Sequence, residues 1–341
     1  MRVLIAGLGN MGLSHALAHH HNAGSEIVGL VSRTAANLPD ELKSYTHYND
    51  FGEALEKTLP DLVVVATYSD SHADYACRAM EAGAHVFVEK PLATTVADAR
   101  RVADCAMRLG RKLMVGYILR QHPSWQRLIA EARALGGPYV FRLNLNQQSS
   151  GPTWDTHKAL MQTTPPIVDC GVHYVDVMCQ ITDAKPVRVH GMGLRLSDEI
   201  AEDMYNYGQF QVVFEDGSVG WYEAGWGPMM SEVAYFVKDV VSPKGSVSIL
   251  SGMHPASDSV DGHTQVGALR VHPVGGPDRD IAFPDEPGHQ ALCDAEQAHM
   301  LRAITEDLDL SRHMSDAVQS LAICLAADQS IRTGRAVDLK G

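Results

Sequence analysis

The 341-residue chain carries a formal net charge of -13, and its acidic residues are spread along the sequence rather than massed in a tail. That length suits two domains, each with its own core, and the negative balance argues against a nucleic-acid or anionic-membrane surface. Cys77, Cys105, Cys170, Cys179, Cys293 and Cys324 form no Cys-x-x-Cys pair, so reduced thiols are expected rather than a zinc cage or disulfide framework. No apolar run reaches the roughly 18 residues of a membrane span, and Met1 leads directly into the first strand, so a soluble, cytoplasmic protein is expected.

The first apolar run, Val3 to Ala6, drives straight into Gly7-Leu8-Gly9-Asn10-Met11-Gly12. A helical stretch from Met11 to Asn22 and a second strand, Ile27 to Val31, follow at strand–helix–strand spacing. In that context Gly-x-Gly-x-x-Gly reads as a dinucleotide-binding turn. Gly7 permits the tight turn, Gly9 lets backbone N–H groups approach a phosphate, and Gly12 lets the helix pack on the strand. The helix N-terminus then carries the anion, and Asn10 and Met11 join the three glycines as expected cofactor contacts. After the second strand, where a carboxylate would select NAD, stand Ser32, Arg33 and Thr34. A guanidinium there pairs with a 2′-phosphate, so NADP is favoured over NAD. The run His19-His20-His21 does not suggest a metal site, because consecutive helical side chains diverge by about 100°; these read as surface histidines, and no metal is expected.

Further strands are expected at Leu62 to Ala66, His85 to Val88 and Lys112 to Val115. Continuous Val/Leu/Ile runs suit a parallel sheet buried on both faces, hence a doubly wound Rossmann domain over residues 1–120. Past Pro123 the pattern changes. One helix (Trp125 to Leu135) is followed by period-two runs at Val140 to Gln147, Val187 to Leu196 and Tyr207 to Phe214. Asp216-Gly217 between Phe214 and Val219 signals a hairpin. Strands are also expected at Val233 to Lys238 and Ser246 to Leu250, then an irregular region over 251–288 with a short strand near Leu269 to His272. Two amphipathic helices close the chain, Gln290 to Glu306 and Ser315 to Arg332. Residues 121–341 therefore read as an α+β substrate-binding and oligomerisation domain on a largely antiparallel open sheet, its bare face covered in a homodimer or homotetramer.

Two segments carry groups suited to hydride chemistry. Phe87-Val88-Glu89-Lys90-Pro91 places a charged pair where a parallel strand ends, the edge at which open α/β sheets bind ligands. Asp169-Cys170-Gly171-Val172-His173-Tyr174-Val175-Asp176, if helical, sets Asp169, His173 and Asp176 along one face. An ammonium at Lys90 suits a developing alkoxide, and an imidazole at His173 suits the hydroxyl proton.

With the glycine turn, these two motifs in this order resemble the glucose-fructose oxidoreductase, inositol dehydrogenase and rhizopine-catabolism oxidoreductase family across nearly the whole chain, and Glu296 to Ile304 is similar to its late helix. The resemblance implies a catalytic set of Lys90, Asp169 and His173, with Glu89 and Lys90 also against the cofactor. It implies an NAD(P)-dependent oxidoreductase acting on a secondary alcohol or hemiacetal of a sugar, inositol or related polyol. Arg120 and His122, in the segment crossing between domains, are expected at the substrate, as are Trp154 and His157 from a stretch rich in hydrogen-bonding and stacking groups. Thr163-Thr164-Pro165-Pro166 replaces a glycine-rich stretch frequent in relatives. The alternatives are an NAD-dependent glycosidase that oxidises its sugar transiently, and a non-catalytic dinucleotide-binding regulator.

Overall fold

The computed structural model describes residues 1–33, 37–232, 237–250, 257, 259 and 264–339. The chain divides into two units, Met1–Gln121 with Pro287–Val318, and His122–Glu286 with Gln319–Gly341.

The first unit opens with β1 (Arg2–Ala6), α1 (Asn10–His20) and β2 (Glu26–Val31), followed by β3 (His47–Tyr48), α2 (Phe51–Thr58) and β4 (Leu62–Val65). Then come α3 (Ser69–Glu81), β5 (His85–Val88), α4 (Val96–Leu109) and β6 (Leu113–Val115). The sheet order is β3-β2-β1-β4-β5-β6, with every pairing parallel. This is the doubly wound order expected of a dinucleotide domain, with the strand order reversing between β1 and β4. All four residues of β4 are buried, as a strand covered on both faces requires. Strand β3 lacked a periodic signal because two residues carry no period; backbone bonds from Leu30 N to Thr46 O and from Ser32 N to Tyr48 O hold it.

The second unit contains α5 (Pro123–Leu135), β7 (Val140–Gln148), α6 (Gly151–Leu160), α7 (Pro166–Asp169) and α8 (Gly171–Ile181). Seven strands follow, namely β8 (Pro186–Leu194), β9 (Tyr207–Phe214), β10 (Val219–Gly227), β11 (Lys238–Ser242), β12 (Gly245–Ile249), β13 (Ala268–Pro273) and β14 (Arg279–Ala282). The sequence ends with α9 (His289–Thr305), α10 (Ser311–Thr333) and β15 (Val337–Asp338). The nine-stranded sheet runs β14-β13-β12-β11-β7-β10-β9-β8-β15. It is antiparallel except for the central pair β7 and β10, which is parallel. The expected hairpin joins β9 to β10; Gly217 takes a positive φ of 85° and the Asp216 carboxylate accepts the Ser218 N–H at 2.9 Å. Of the strand expected over Val233 to Lys238, residues 233–236 lie outside the described residues and Lys238 starts β11.

One expectation is corrected. Residues 121–341 do not form one continuous second unit, because 287–318 pack with the first. Met300, Leu301, Ala303 and Leu310 enter the same apolar cluster as Val3, Ile5, Leu30, Val64 and Phe87. An amphipathic helix must bury its stripe, and this one does so over the parallel sheet. Among the described residues, no helix is long and apolar enough to cross a membrane.

Candidate active site

The glycine turn separates what the chain needs from what it leaves open. Gly7 sits at φ 96°, and a Cβ there would lie 2.3 Å from the Ala66 carbonyl oxygen; a Cβ at Gly12 would lie 2.0 Å from that of Gly7. Both are required by the fold. A Cβ at Gly9 meets nothing within 4 Å, so no neighbour in the chain demands that bareness. Gly9 is also the N-cap of α1, with no side-chain cap and no acidic residue in the first turn. The first N–H groups of α1 are therefore orphan donors at the positive end of the helix dipole, which fits a pyrophosphate. Asn10 is exposed there and Met11 half-buried. At the end of β2, Ser32 is half-buried and Arg33 exposed, while Thr34 lies outside the described residues.

The same edge of the sheet carries the charged pair after β5. Glu89 is buried, its Oε1 2.7 Å from His15 Nε2 and its Oε2 accepting the Lys90 backbone N–H at 3.1 Å. Burial by itself would raise the Glu89 carboxyl; the His15 hydrogen bond and charge, with Lys90, outweigh burial and hold it below the usual carboxylate range. Lys90 is half-buried.

In the second unit, Pro165 and Pro166 open the short helix α7, whose missing N–H groups cost nothing at a helix start. Cys170, itself in right-handed helical conformation, joins α7 to α8, so Asp169 and His173 remain one turn apart. Asp169 is buried and His173 half-buried. Cys170 Sγ lies 4.0 Å from both Asp169 Oδ2 and Gln147 Oε1. Gln147 Oε1 accepts the Trp226 indole N–H at 2.8 Å, and the His157 ring stacks on Trp226 with centroids 4.2 Å apart, its Nδ1 2.9 Å from Ser149 Oγ. Trp154 is buried, its indole N–H donating to Glu199 at 3.2 Å and its ring 5.6 Å from Lys158 Nζ. Asp176 is fully buried and accepts from Gln180 on its own helix at 2.9 Å.

The structure thus gathers Gly7, Gly9, Gly12, Asn10, Met11, Ser32, Arg33, Glu89 and Lys90 along the carboxyl edge of the parallel sheet. Within the second unit it gathers Asp169 and His157 through Cys170, Gln147 and Trp226. Two expected substrate contacts have partners within the chain. The Arg120 guanidinium donates to Asp316 at 2.9 Å, with Arg312 on the same carboxylate. His122 is fully buried, 3.9 Å from Glu286, and burial pushes its imidazole below the ordinary histidine range. The histidine run also departs from expectation. His19 is buried and bonded to Gln297, and since α1 ends at His20, the His20 and His21 rings meet with Glu41, one potential ligand atom from each lying within 4.8 Å of the others. The His15 partnership with Glu89 was not anticipated; its one sequence signal is its place on α1, three residues after Gly12.

Comparison with known proteins gives two matches to family models. Residues 1–117 match the oxidoreductase family with an NAD-binding Rossmann fold, and residues 126–236 match the GFO/IDH/MocA C-terminal domain. Inositol 2-dehydrogenase of Salmonella typhimurium is 27% identical over 196 residues, 54% of this chain and 56% of the relative, so the match spans about half that protein's length. The scyllo-inositol 2-dehydrogenase (NAD(+)) of Bacillus subtilis is 24% identical over 99% of this chain and 96% of the relative. In fold, the chain is similar to UDP-N-acetylglucosamine 3-dehydrogenase of Acidithiobacillus ferrooxidans, with a TM-score of 0.78 and 19% identity over 98% of both chains.

Proposed function

Because this chain belongs to the GFO/IDH/MocA oxidoreductase family, we propose that it is an NAD(P)-dependent dehydrogenase of a sugar, inositol or related polyol, working at a secondary alcohol or hemiacetal. The observation that carries the reading is the glycine turn, with its unneeded bareness at Gly9, on the same sheet edge as Glu89 and Lys90. The names of the inositol dehydrogenase relatives support the substrate class. The nicotinamide, when bound, supplies the hydride acceptor or donor. The backbone of Gly9, Asn10 and Met11 holds the pyrophosphate, and Ser32 with Arg33 meets the adenosine ribose. The Lys90 ammonium stabilises the negative charge that grows on the substrate oxygen, His173 takes the hydroxyl proton, and Asp169 orients the imidazole. No metal is assigned a role. A cytoplasmic location agrees with six buried cysteines in the thiol form.

Absorbance of the reduced nicotinamide, followed while inositols and sugars are offered with NAD and with NADP separately, tests cofactor and substrate class together. Faster reduction of NADP is expected, since no carboxylate stands among Ser32, Arg33 and Thr34 to repel a 2′-phosphate. Arg33→Asp should lower kcat/KM with NADP by about tenfold or more, through loss of a charge-assisted pair, and leave NAD within about threefold. No reduction of either nucleotide across the panel would remove the proposal.

The second sheet also supports a homodimer or homotetramer. Val140, Val219 and Val213 lie side by side across β7, β10 and β9, and all three are exposed, as are Val187, Met192 and Leu194 on β8. A row of bare valines on a sheet face calls for a covering surface. Light scattering is expected to return two or four times the mass of one chain, and Val219→Glu to return the single chain; a monomeric wild type would contradict the assignment.

A further inference from the structure

Behind the carboxylate of Glu89 runs a chain of buried side chains drawn from α1 and α9. His15 Nε2 meets Glu89 Oε1 at 2.7 Å, and Gln297 Nε2 lies 3.0 Å from His15 Nδ1. Gln297 Oε1 lies 2.9 Å from His19 Nε2, and His19 Nδ1 lies 3.2 Å from Ser25 Oγ. His15, His19 and Gln297 are at most 1% exposed. The direction of the chain follows from its first member. An ionised carboxylate only accepts, so His15 Nε2 carries a proton and donates to Glu89. The Gln297 amide nitrogen faces His15 Nδ1 and donates to it, which leaves the Gln297 carbonyl to accept from His19 Nε2.

The carboxylate has little room to move. A Cβ at Gly116 would lie 2.9 Å from Glu89 Oε1, and the Phe87 ring meets His15 edge-on with centroids 4.8 Å apart. On α9, Glu296 is 1% exposed, and burial, with the Glu89 charge beside it, pushes its carboxyl well above the usual carboxylate range. Of the two carboxyl groups in this corner, the one His15 holds is that of Glu89. His15, Cys293 and Glu296 also bring one potential ligand atom each within 4.8 Å of one another. Both His15 nitrogens are already engaged, and burial pushes the Cys293 thiol up, so the polar chain accounts for how the imidazole is held.

We propose that His15, backed by Gln297 and His19, is a positioning residue for Lys90. It clamps the Glu89 carboxylate, whose second oxygen accepts the Lys90 backbone N–H, and so sets where the lysine side chain begins relative to the glycine turn on the same helix as His15. The Gly-x-Gly-x-x-Gly motif and the Glu-Lys-Pro motif are thereby registered by a single imidazole. The inference rests on the reading that Lys90 acts in the dehydrogenase reaction.

The test compares His15→Leu with His15→Gln in the full-length protein, using the panel substrate that wild type oxidises fastest, NADPH fluorescence for nucleotide affinity, and Tm. A glutamine reproduces both bonds, its amide N–H donating to Glu89 and its carbonyl accepting from Gln297. His15→Leu is expected to lower kcat by about tenfold or more with NADPH affinity within about threefold, and His15→Gln to recover most of the loss. Wild-type kcat in His15→Leu, equal losses in both variants, or one equivalent of zinc in the purified protein that His15→Leu removes would each overturn the proposal. Should His15→Leu fail to fold, Gln297→Leu removes only the bond behind the imidazole. It is expected to lower kcat by at least about threefold, and an unchanged kcat would again overturn the idea. Lys90→Ala run in parallel separates the two levels: retained turnover there removes the functional reading, whereas its loss beside an unaffected His15→Leu removes this inference alone.

Discussion

Lys90→Ala and His173→Ala are each expected to lower kcat by about a hundredfold or more, with NADP and NAD binding within about threefold of wild type. A hundredfold corresponds to about 2.7 kcal/mol of transition-state stabilisation. Removing a hydroxyl hydrogen as hydride leaves charge on oxygen unless a proton departs as well, so the reaction needs both a base and a cation or donor at that oxygen. Lys90 lies two residues beyond the end of β5, at the carboxyl edge of a sheet whose other loops carry the glycine turn. His173 lies one turn beyond Asp169, and histidine is the side chain that titrates nearest neutrality. Neither residue belongs to the turn formed by Gly7 to Gly12, which is why nucleotide affinity should survive both substitutions. Stopped-flow turnover beside NADPH fluorescence titration checks the pair; wild-type kcat in either variant would remove that residue from the mechanism.

Gly9→Ala and Gly12→Ala should fail in opposite ways. The space around Gly9 is open, and its backbone, at φ -76° and ψ -172°, suits any residue. Alanine there loses only the modest N-cap preference of glycine, so Tm should fall by no more than about 3 °C. A methyl group placed where a pyrophosphate approaches the backbone should nevertheless weaken NADP binding by about tenfold or more. At Gly12 the added carbon would lie 2.0 Å from the Gly7 carbonyl oxygen. Either the helix moves off β1 or the turn opens, and a cost of about 1–3 kcal/mol corresponds to a fall in Tm of roughly 5 °C. Calorimetry and nucleotide titration separate the two outcomes. Undiminished NADP affinity in Gly9→Ala would show that the phosphate approaches elsewhere.

The parallel sheet was readable because a strand buried on both faces must be apolar throughout, and β1, β2, β4, β5 and β6 are short runs of that kind bounded by turns. The glycine turn and the Glu-Lys-Pro segment were readable because their chemistry is local. Partnership between distant segments was not. Period two marks β7 and β10 as strands, yet it carries no direction, and their parallel pairing at the centre of an otherwise antiparallel sheet has no sequence signature. An amphipathic pattern shows that α9 buries a stripe without naming the surface beneath it, hence the extension of the second domain over residues that pack with the first. The same limit hid the corner around Glu89, since His15 and Gln297 stand 282 residues apart. It also hid the stacking of His157 on Trp226, where an apolar neighbour and a hydrogen-bonding edge come from different elements.

Hydride transfer itself is tested most directly with a polyol carrying deuterium on the carbon that is oxidised, incubated with the enzyme and NADP, the nucleotide then recovered and analysed by NMR. The assignment requires the deuterium to appear at C4 of the reduced nicotinamide in step with formation of the keto product. Product formed while the nucleotide stays oxidised and unlabelled, or deuterium lost to solvent, would contradict it.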